Sequence, residues 1–281
     1  MKKGCLFFLG FIGLLIIISA IITLAHRVPL TDRVALIRIE GLILDSKAVI
    51  DELKEYSRDP LVKAIVLRID SPGGGVAPTQ EIYEEVKKAK EKKKVVVSMG
   101  SVAASGGYYI ASAADKIVAN PGTLTGSIGA VMEIPNFEGL MEKIGVRTEV
   151  IKSGRHKDIA SVFRSMSPEE RGILQSVLDD VHDQFIKAVA EGRNMKVDYV
   201  RSLADGRIFT GNKAKDLGLV DEIGNLEDTI LLAAELSGIE GEPEVVTRKE
   251  EFNIFELLRK KFPKDLSEVF PTIRLKYILI P

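Results

Sequence analysis

At 281 residues, 46% of them hydrophobic, the chain can build one large domain or two small ones; its formal net charge of −1 lacks the basic excess of a nucleic-acid binder. A single cysteine, Cys5, excludes an intramolecular disulfide, and no Cys/His cluster has metal-ligand spacing. The fold is expected to hold without staples, and no cofactor, metal or nucleic-acid partner is expected.

The first long apolar run is Cys5–Ala25, uncharged and mostly Leu, Ile and Phe. At the helical rise it spans roughly 30 Å, enough for a bilayer core. Lys2 and Lys3 precede it and His26-Arg27 follow, a modest cation bias toward a cytoplasmic N-terminus. A cleaved signal peptide ending near Thr23-Leu24-Ala25 is the rival reading; the length of the run favours an uncleaved, single-pass anchor in the cell membrane. The expected organisation is a cytoplasmic tip over 1–4, a transmembrane helix over 5–25, an extracytoplasmic domain over 26–240 and a C-terminal amphipathic tail over 241–281.

From Arg33 the chain alternates strand and helix patterns. Val34–Ile37 begins a strand, Ala48–Tyr56 has helical spacing, and Ala64–Ile69 is a near-continuous apolar strand. Thr79–Lys90 reads as a helix and Val95–Ser98 as a strand; Lys116–Ala119 and Arg147–Ile151 continue the pattern. Strands apolar on both faces and separated by helices predict an α/β fold with a mostly parallel sheet covered on both sides. An amphipathic helix over Glu169–Ala190 follows and carries His182.

Four stretches carry chemistry. Asp70-Ser71-Pro72-Gly73-Gly74-Gly75 follows a buried strand but lacks the Lys-Ser/Thr pair of a P-loop and the GxGxxG spacing. It reads either as a turn needing positive φ or as a set of backbone N–H groups facing an oxyanion at the sheet's C-terminal edge. In Ser98–Ala114 a strand delivers Ser105 to a corner between Ala103-Ala104 and Gly106-Gly107. Small neighbours leave that hydroxyl approachable, so it is either a nucleophile or the N-cap of the next helix. Asn120–Gly129 is a second glycine-rich loop, in which Thr125 and Ser127 could bond a catalytic base or simply turn the chain. Lys152–Asp158 is basic without helical periodicity; a lysine there is a surface charge unless burial depresses its pKa.

Together the runs SPGGG (71–75), SMGSVAASGGYYIASAADKIVANPGTLTGSIG (98–129), SGRHKD (153–158) and GRIFTGNKAKDLGLVDEIG (206–224) resemble the signal peptide peptidase A family of the short, single-domain type, among the crotonase/Clp-like serine peptidases. The resemblance spans about Arg33–Leu236. It implies a crotonase-like parallel-sheet domain behind the anchor, with Ser105 as nucleophile and Lys157 as general base. It also implies Ser127 as the hydroxyl orienting the lysine, and oxyanion donors at Gly106 and the Gly73-Gly74 pair. The implied activity is a serine endopeptidase that degrades cleaved signal peptides and other apolar membrane-derived peptides through an acyl-enzyme. Small-side-chain apolar pockets and a ring-like homo-oligomer are further implications. A Ser-His-Asp triad using His156 and Asp158 is the mechanistic rival, but neighbours on an extended chain point opposite ways. An acyl-CoA enzyme on the same fold, a related peptidase specialised for a membrane-protein partner and an inactive membrane scaffold are the rival functions.

The tail reads as an amphipathic helix over Glu251–Phe262, with Phe252, Phe255 and Leu258 on one side and Arg259-Lys260-Lys261 at its end, followed by an apolar terminus. It would pack on the domain, touch the membrane interface or enter an active site.

Overall fold

A mostly parallel sheet organises residues 33–281, and its central strands are apolar because both of its faces are covered. The computed structural model describes residues 12–16, 19, 31–248 and 276–279. Residues 1–32 form a unit separate from residues 33–281. In the former, 12–16 are helical, while most of the expected anchor lies outside the described residues. Among the described residues, no helix is long and apolar enough to cross a membrane. The expected amphipathic helix over 251–262 also lies outside them.

In the larger unit β1 (Arg33–Ile43), α1 (Lys47–Arg58), β2 (Val62–Gly75), α2 (Val76–Lys90) and β3 (Lys94–Ala104) alternate as expected. β1 pairs in parallel with β2, Ile37 opposite Leu67, and β2 with β3, Leu67 opposite Val97. After α3 (Gly106–Ser112), β4 (Lys116–Ala119) and β5 (Leu124–Gly126) both join β3 in parallel. α4 (Glu138–Lys143), α5 (Pro168–Gly192) and α6 (Val197–Leu203) follow, then β6 (Ile208–Thr210), α7 (Gly211–Asp216), β7 (Glu222–Ile223), α8 (Leu226–Ser237) and β8 (Glu244–Val246). The main path runs β6-β5-β3-β2-β1-β8, with β4 branching from β3, β7 pairing with β4, and a last strand, β9 (Lys276–Ile278), pairing with β2. β8 and β9 join this same sheet, although both fall within the segment expected as a tail.

Successive side chains on a strand point to opposite faces. Accordingly, Ala35, Ile37, Ile65, Leu67, Val95 and Val97 join a large core with α1, α2, α3 and α5. Val34, Leu36, Ala64, Val66 and Val96 join a smaller core under Ile230, Ala233 and Ala234 of α8. α5 begins at a capping box between Ser167 and Glu170 with Pro168 at its first position.

Two expectations need correction. The glycine run is not a turn after the strand: β2 continues through it to Gly75, with Gly73 at φ 104°. Arg147–Ile151 is not a strand, and its residues are all exposed. The β-branched pattern there has no neighbouring strand to bury it, so propensity alone does not make it one.

Candidate active site

Ser105 stands where β3 gives way to α3, at φ 52° and ψ −116°. For a residue with a Cβ this is a strained backbone, costing roughly 1–3 kcal/mol. It forms the corner between the end of β3 and the start of α3. The strain is held in place by two backbone bonds: Ser105 N–H donates to the Gly126 carbonyl (2.8 Å), and the Ser105 carbonyl accepts from Tyr109 N–H (2.8 Å). The N-cap alternative fails, because the side chain makes no capping bond. The residue is 1% exposed and its Oγ has no hydrogen-bond partner. A buried, unbonded hydroxyl at a strained corner is uncommon, since buried polar groups are normally paired.

The glycine run is brought to this corner. A Cβ placed on Gly73 would lie 2.8 Å from the Gly106 nitrogen, and one on Gly106 would lie 3.2 Å from the Gly73 Cα. These two backbones therefore touch, and only glycines permit it. Ser71 Oγ accepts from Gly73 N–H at 3.0 Å, fixing this end of β2 from within. Asp70 Oδ1 accepts from Val102 N–H at 3.0 Å, tying β2 to the last residues of β3 where the register between the two strands shifts. Gly74 stands differently: a Cβ there would meet the Ile43 carbonyl at 2.1 Å, so its Cβ side faces β1. Thr79, wholly buried at the start of α2, places its unpartnered Oγ1 2.8 Å from the Cβ position of Gly106. Sequence reasoning passed over it, since a threonine opening a helix carries no mark of a site.

Ser127 follows Gly126 directly, and β5 places Gly126 opposite Ala104. Ser127 is therefore carried to the same corner as Ser105. It is buried, at φ 50°, with its N–H donated to the Arg207 carbonyl. The run 206–224 supplies this buttress: Gly206 N–H bonds the Ile128 carbonyl, and the Phe209 ring packs on Gly126.

Lys157 is not brought in. It is exposed, in a turn closed by its own N–H to the Gly154 carbonyl, and no hydrogen bond joins it to Ser105 or Ser127 among the described residues. The surrounding segment is held by a charged clasp. Arg164 binds Asp158 (2.9 Å) and Glu170, Lys152 also binds Asp158, and Arg155 binds Glu169. Hydrogen bonds from Arg164 and then Lys152 hold the Asp158 carboxyl far below the usual carboxylate range. The Arg164 bond lowers Glu170 to about 2, assisted by Ser167. Asp158 is thus engaged elsewhere, and His156 lies 3.6 Å from Glu169. Neither supplies the Ser-His-Asp arrangement. The apolar side chains Leu140, Ile144, Val150 and Ile151 are exposed along the same stretch.

Comparison with known proteins agrees with this geometry. Residues 87–240 match the model of peptidase family S49, and residues 35–123 match that of Clp protease. The chain is 49% identical over 210 residues to a Synechocystis protein with a provisional protease name, covering 74% of this chain and 76% of the relative. It is 43% identical over 180 residues to an Enterococcus faecium protein provisionally named signal peptide peptidase SppA, covering 64% and 52%. It is 38% identical over 214 residues to Protease 4 of Salmonella typhi, covering 73% of this chain and 34% of that one. The last two relatives are thus much longer than the part they share. Family match, relatives and a serine-bearing elbow on a Clp-like sheet converge: the chain belongs to peptidase family S49, the serine proteases that include SppA and Protease 4.

Proposed function

We propose that this protein is a membrane-anchored serine endopeptidase in which Ser105 is the nucleophile and Lys157 the general base. The observation that carries the reading is the buried, unpartnered Ser105 hydroxyl beside the touching glycines Gly73 and Gly106. Neutral lysine takes the Ser105 proton as Oγ attacks a peptide carbonyl. The backbone N–H of Gly106, joined by the Gly73-Gly74 pair once the Gly73 N–H leaves Ser71 Oγ, stabilises the tetrahedral oxyanion, about 2.7–4 kcal/mol for one donor in a comparable site. The protonated lysine then serves the leaving amine, and water hydrolyses the acyl-enzyme. Ser127, next to Gly126 at the same corner, orients the lysine.

Ser105 is fixed while Lys157 is exposed, so the dyad closes only when the segment around 157 is packed against the corner. Assembly into a homo-oligomer, with the apolar side chains exposed over 140–151 covered, supplies that packing and dries the site. The uncharged run over 5–25 anchors the domain in the cell membrane, with the N-terminus cytoplasmic and the catalytic domain extracytoplasmic. Substrates are apolar peptides close to the bilayer, signal-peptide remnants among them. Hydrolysis of fluorogenic apolar peptides by the full chain, abolished in Ser105→Ala and in Lys157→Ala with unchanged folding, is the expected result. Equal hydrolysis by wild type and Ser105→Ala refutes the assignment.

A further inference from the structure

Among the described residues four threonines are buried, and three of them donate their hydroxyl to a backbone carbonyl: Thr123 to Gly100 at 2.8 Å, Thr125 to Ala103 at 2.7 Å and Thr229 to Asn225 at 2.7 Å. Thr79 is the exception, wholly buried with its Oγ1 unpartnered. Thr229 serves as an internal control. Each is the fourth residue of its helix, Thr79 in α2 and Thr229 in α8, with the cap residue's carbonyl four positions back. Thr229 takes that carbonyl, as helical threonines can. Thr79 has the same option at Gly75 and leaves it, placing Oγ1 2.8 Å from the Cβ position of Gly106 instead.

Packing directs the side chain there. Thr79 and Tyr83, four residues apart, share the face of α2 that meets α3, where Tyr83 stands edge-on to Tyr109 at 4.9 Å. The Tyr83 hydroxyl donates to the Ala188 carbonyl at 3.4 Å, whereas no acceptor reaches Thr79. A buried hydroxyl without a partner destabilises a fold, and valine would fill the same shape without that cost. The acceptor absent from the resting molecule is one that arrives with the substrate. Gly106 N–H is the oxyanion donor of the proposed reaction, and Gly73 N–H is already given to Ser71 Oγ at 3.0 Å. At the start of the reaction Gly106 therefore has no help from Gly73.

We propose that the Thr79 hydroxyl is a side-chain donor to the oxyanion, beside the Gly106 N–H. As Ser105 Oγ bonds the peptide carbon, the carbonyl π pair moves onto oxygen and the serine proton passes to Lys157. Thr79 donates a hydrogen bond to that oxygen and keeps its own proton. The bond strengthens as charge develops, so it acts on kcat rather than on substrate binding. The inference rests on Ser105 being the nucleophile.

The test compares the full chain with Thr79→Val, Thr79→Ser and Ser105→Ala on one fluorogenic apolar peptide. Thr79→Val lowers kcat about 10²-fold, the lower end of the range for a lost oxyanion donor, with KM unchanged. Thr79→Ser, which keeps the hydroxyl, restores most of the rate. The apparent pKa of the pH–rate profile stays at the wild-type value in Thr79→Val, because the base is untouched. Its thermal midpoint equals or exceeds that of wild type, because an unpartnered polar group has been removed. A wild-type kcat in Thr79→Val overturns the proposal, and so does a shifted pH profile. Equal losses in the valine and serine variants, or a loss of rate together with a lower thermal midpoint, reduce Thr79 to packing and overturn it as well. Hydrolysis that survives Ser105→Ala overturns the catalytic reading instead. Hydrolysis abolished in Ser105→Ala but normal in Thr79→Val removes only the role of Thr79.

Discussion

The corner at Ser105 and the segment around Lys157 are built on opposite principles. Ser105 is 1% exposed, strained at φ 52° and fixed from three directions by β5, α3 and the glycine run. Lys157 is exposed among irregular turns whose order comes from ion pairs around Arg164. A sheet buried on both faces can hold a residue in an unfavourable conformation, because many core contacts over-determine its position. A clasp of charges on an open surface specifies a loop but excludes no water. On the proposed Ser/Lys reading, the Ser105 half of the site is preformed and the Lys157 half requires packing that dries it.

This difference sets the order of expected effects. Removing the nucleophile with Ser105→Ala reduces peptide hydrolysis by about 10³-fold or more, the range seen when a catalytic group is lost, with no fall in thermal stability. The second largest effect follows from Gly73→Ala, whose methyl would press on the Gly106 nitrogen at a φ of 104°. Kinetics should show a loss of about 10²–10³-fold from the displaced oxyanion donor, and thermal unfolding a destabilisation of roughly 1–3 kcal/mol.

Arg164→Ala dissolves the clasp without touching Ser105. Loss of activity up to about 10²-fold is expected from misplacing the segment that carries the base. Limited proteolysis should then cut within 150–165 first. An unchanged rate would show that the clasp does not position Lys157.

Acidification tests the same segment more gently. Asp158 and Glu170 have folded pKa values depressed from 3.8 and 4.5, the latter to about 2. Their stabilisation is therefore complete above the unfolded values and is lost as pH falls through the folded ones. Amide exchange over 152–170, corrected for intrinsic rates, should be flat from pH 7 to about 5 and lose protection below about 4. Loss of protection already between pH 7 and 6 would assign the order of this segment to a group other than these two carboxylates. The smallest effect belongs to Tyr108→Phe, which leaves the buried Leu219 carbonyl without its 2.9 Å donor; urea unfolding should register about 1–3 kcal/mol.

The α/β alternation was legible because burial on both faces of a parallel sheet writes continuous apolar runs such as Ala64–Ile69, and α1, α2 and β4 appear within a few residues of their expected spans. Ser105, Ser127, Gly73 and Gly106 were legible as small residues at strand ends, and the structure gathers them. Less legible was what depends on distant partners. Nothing local says that Gly73–Gly75 continues a strand, since its pairing partners, Leu42-Ile43 of β1 and the far segment 276–278, both lie elsewhere in the chain. Nor does the pattern at Arg147–Ile151 reveal that no strand awaits it. Only the resemblance paired Ser105 with Lys157, and along one chain the two do not meet.

The most direct measurement is the pH dependence of peptide hydrolysis by the full chain, wild type beside Ser105→Ala, Lys157→Ala and His156→Ala, from pH 6 to 10. The Ser/Lys account predicts a rate that rises as one group loses a proton, is nearly abolished in the first two variants and persists in the third. Retention of the rate in Lys157→Ala together with its loss in His156→Ala would contradict it.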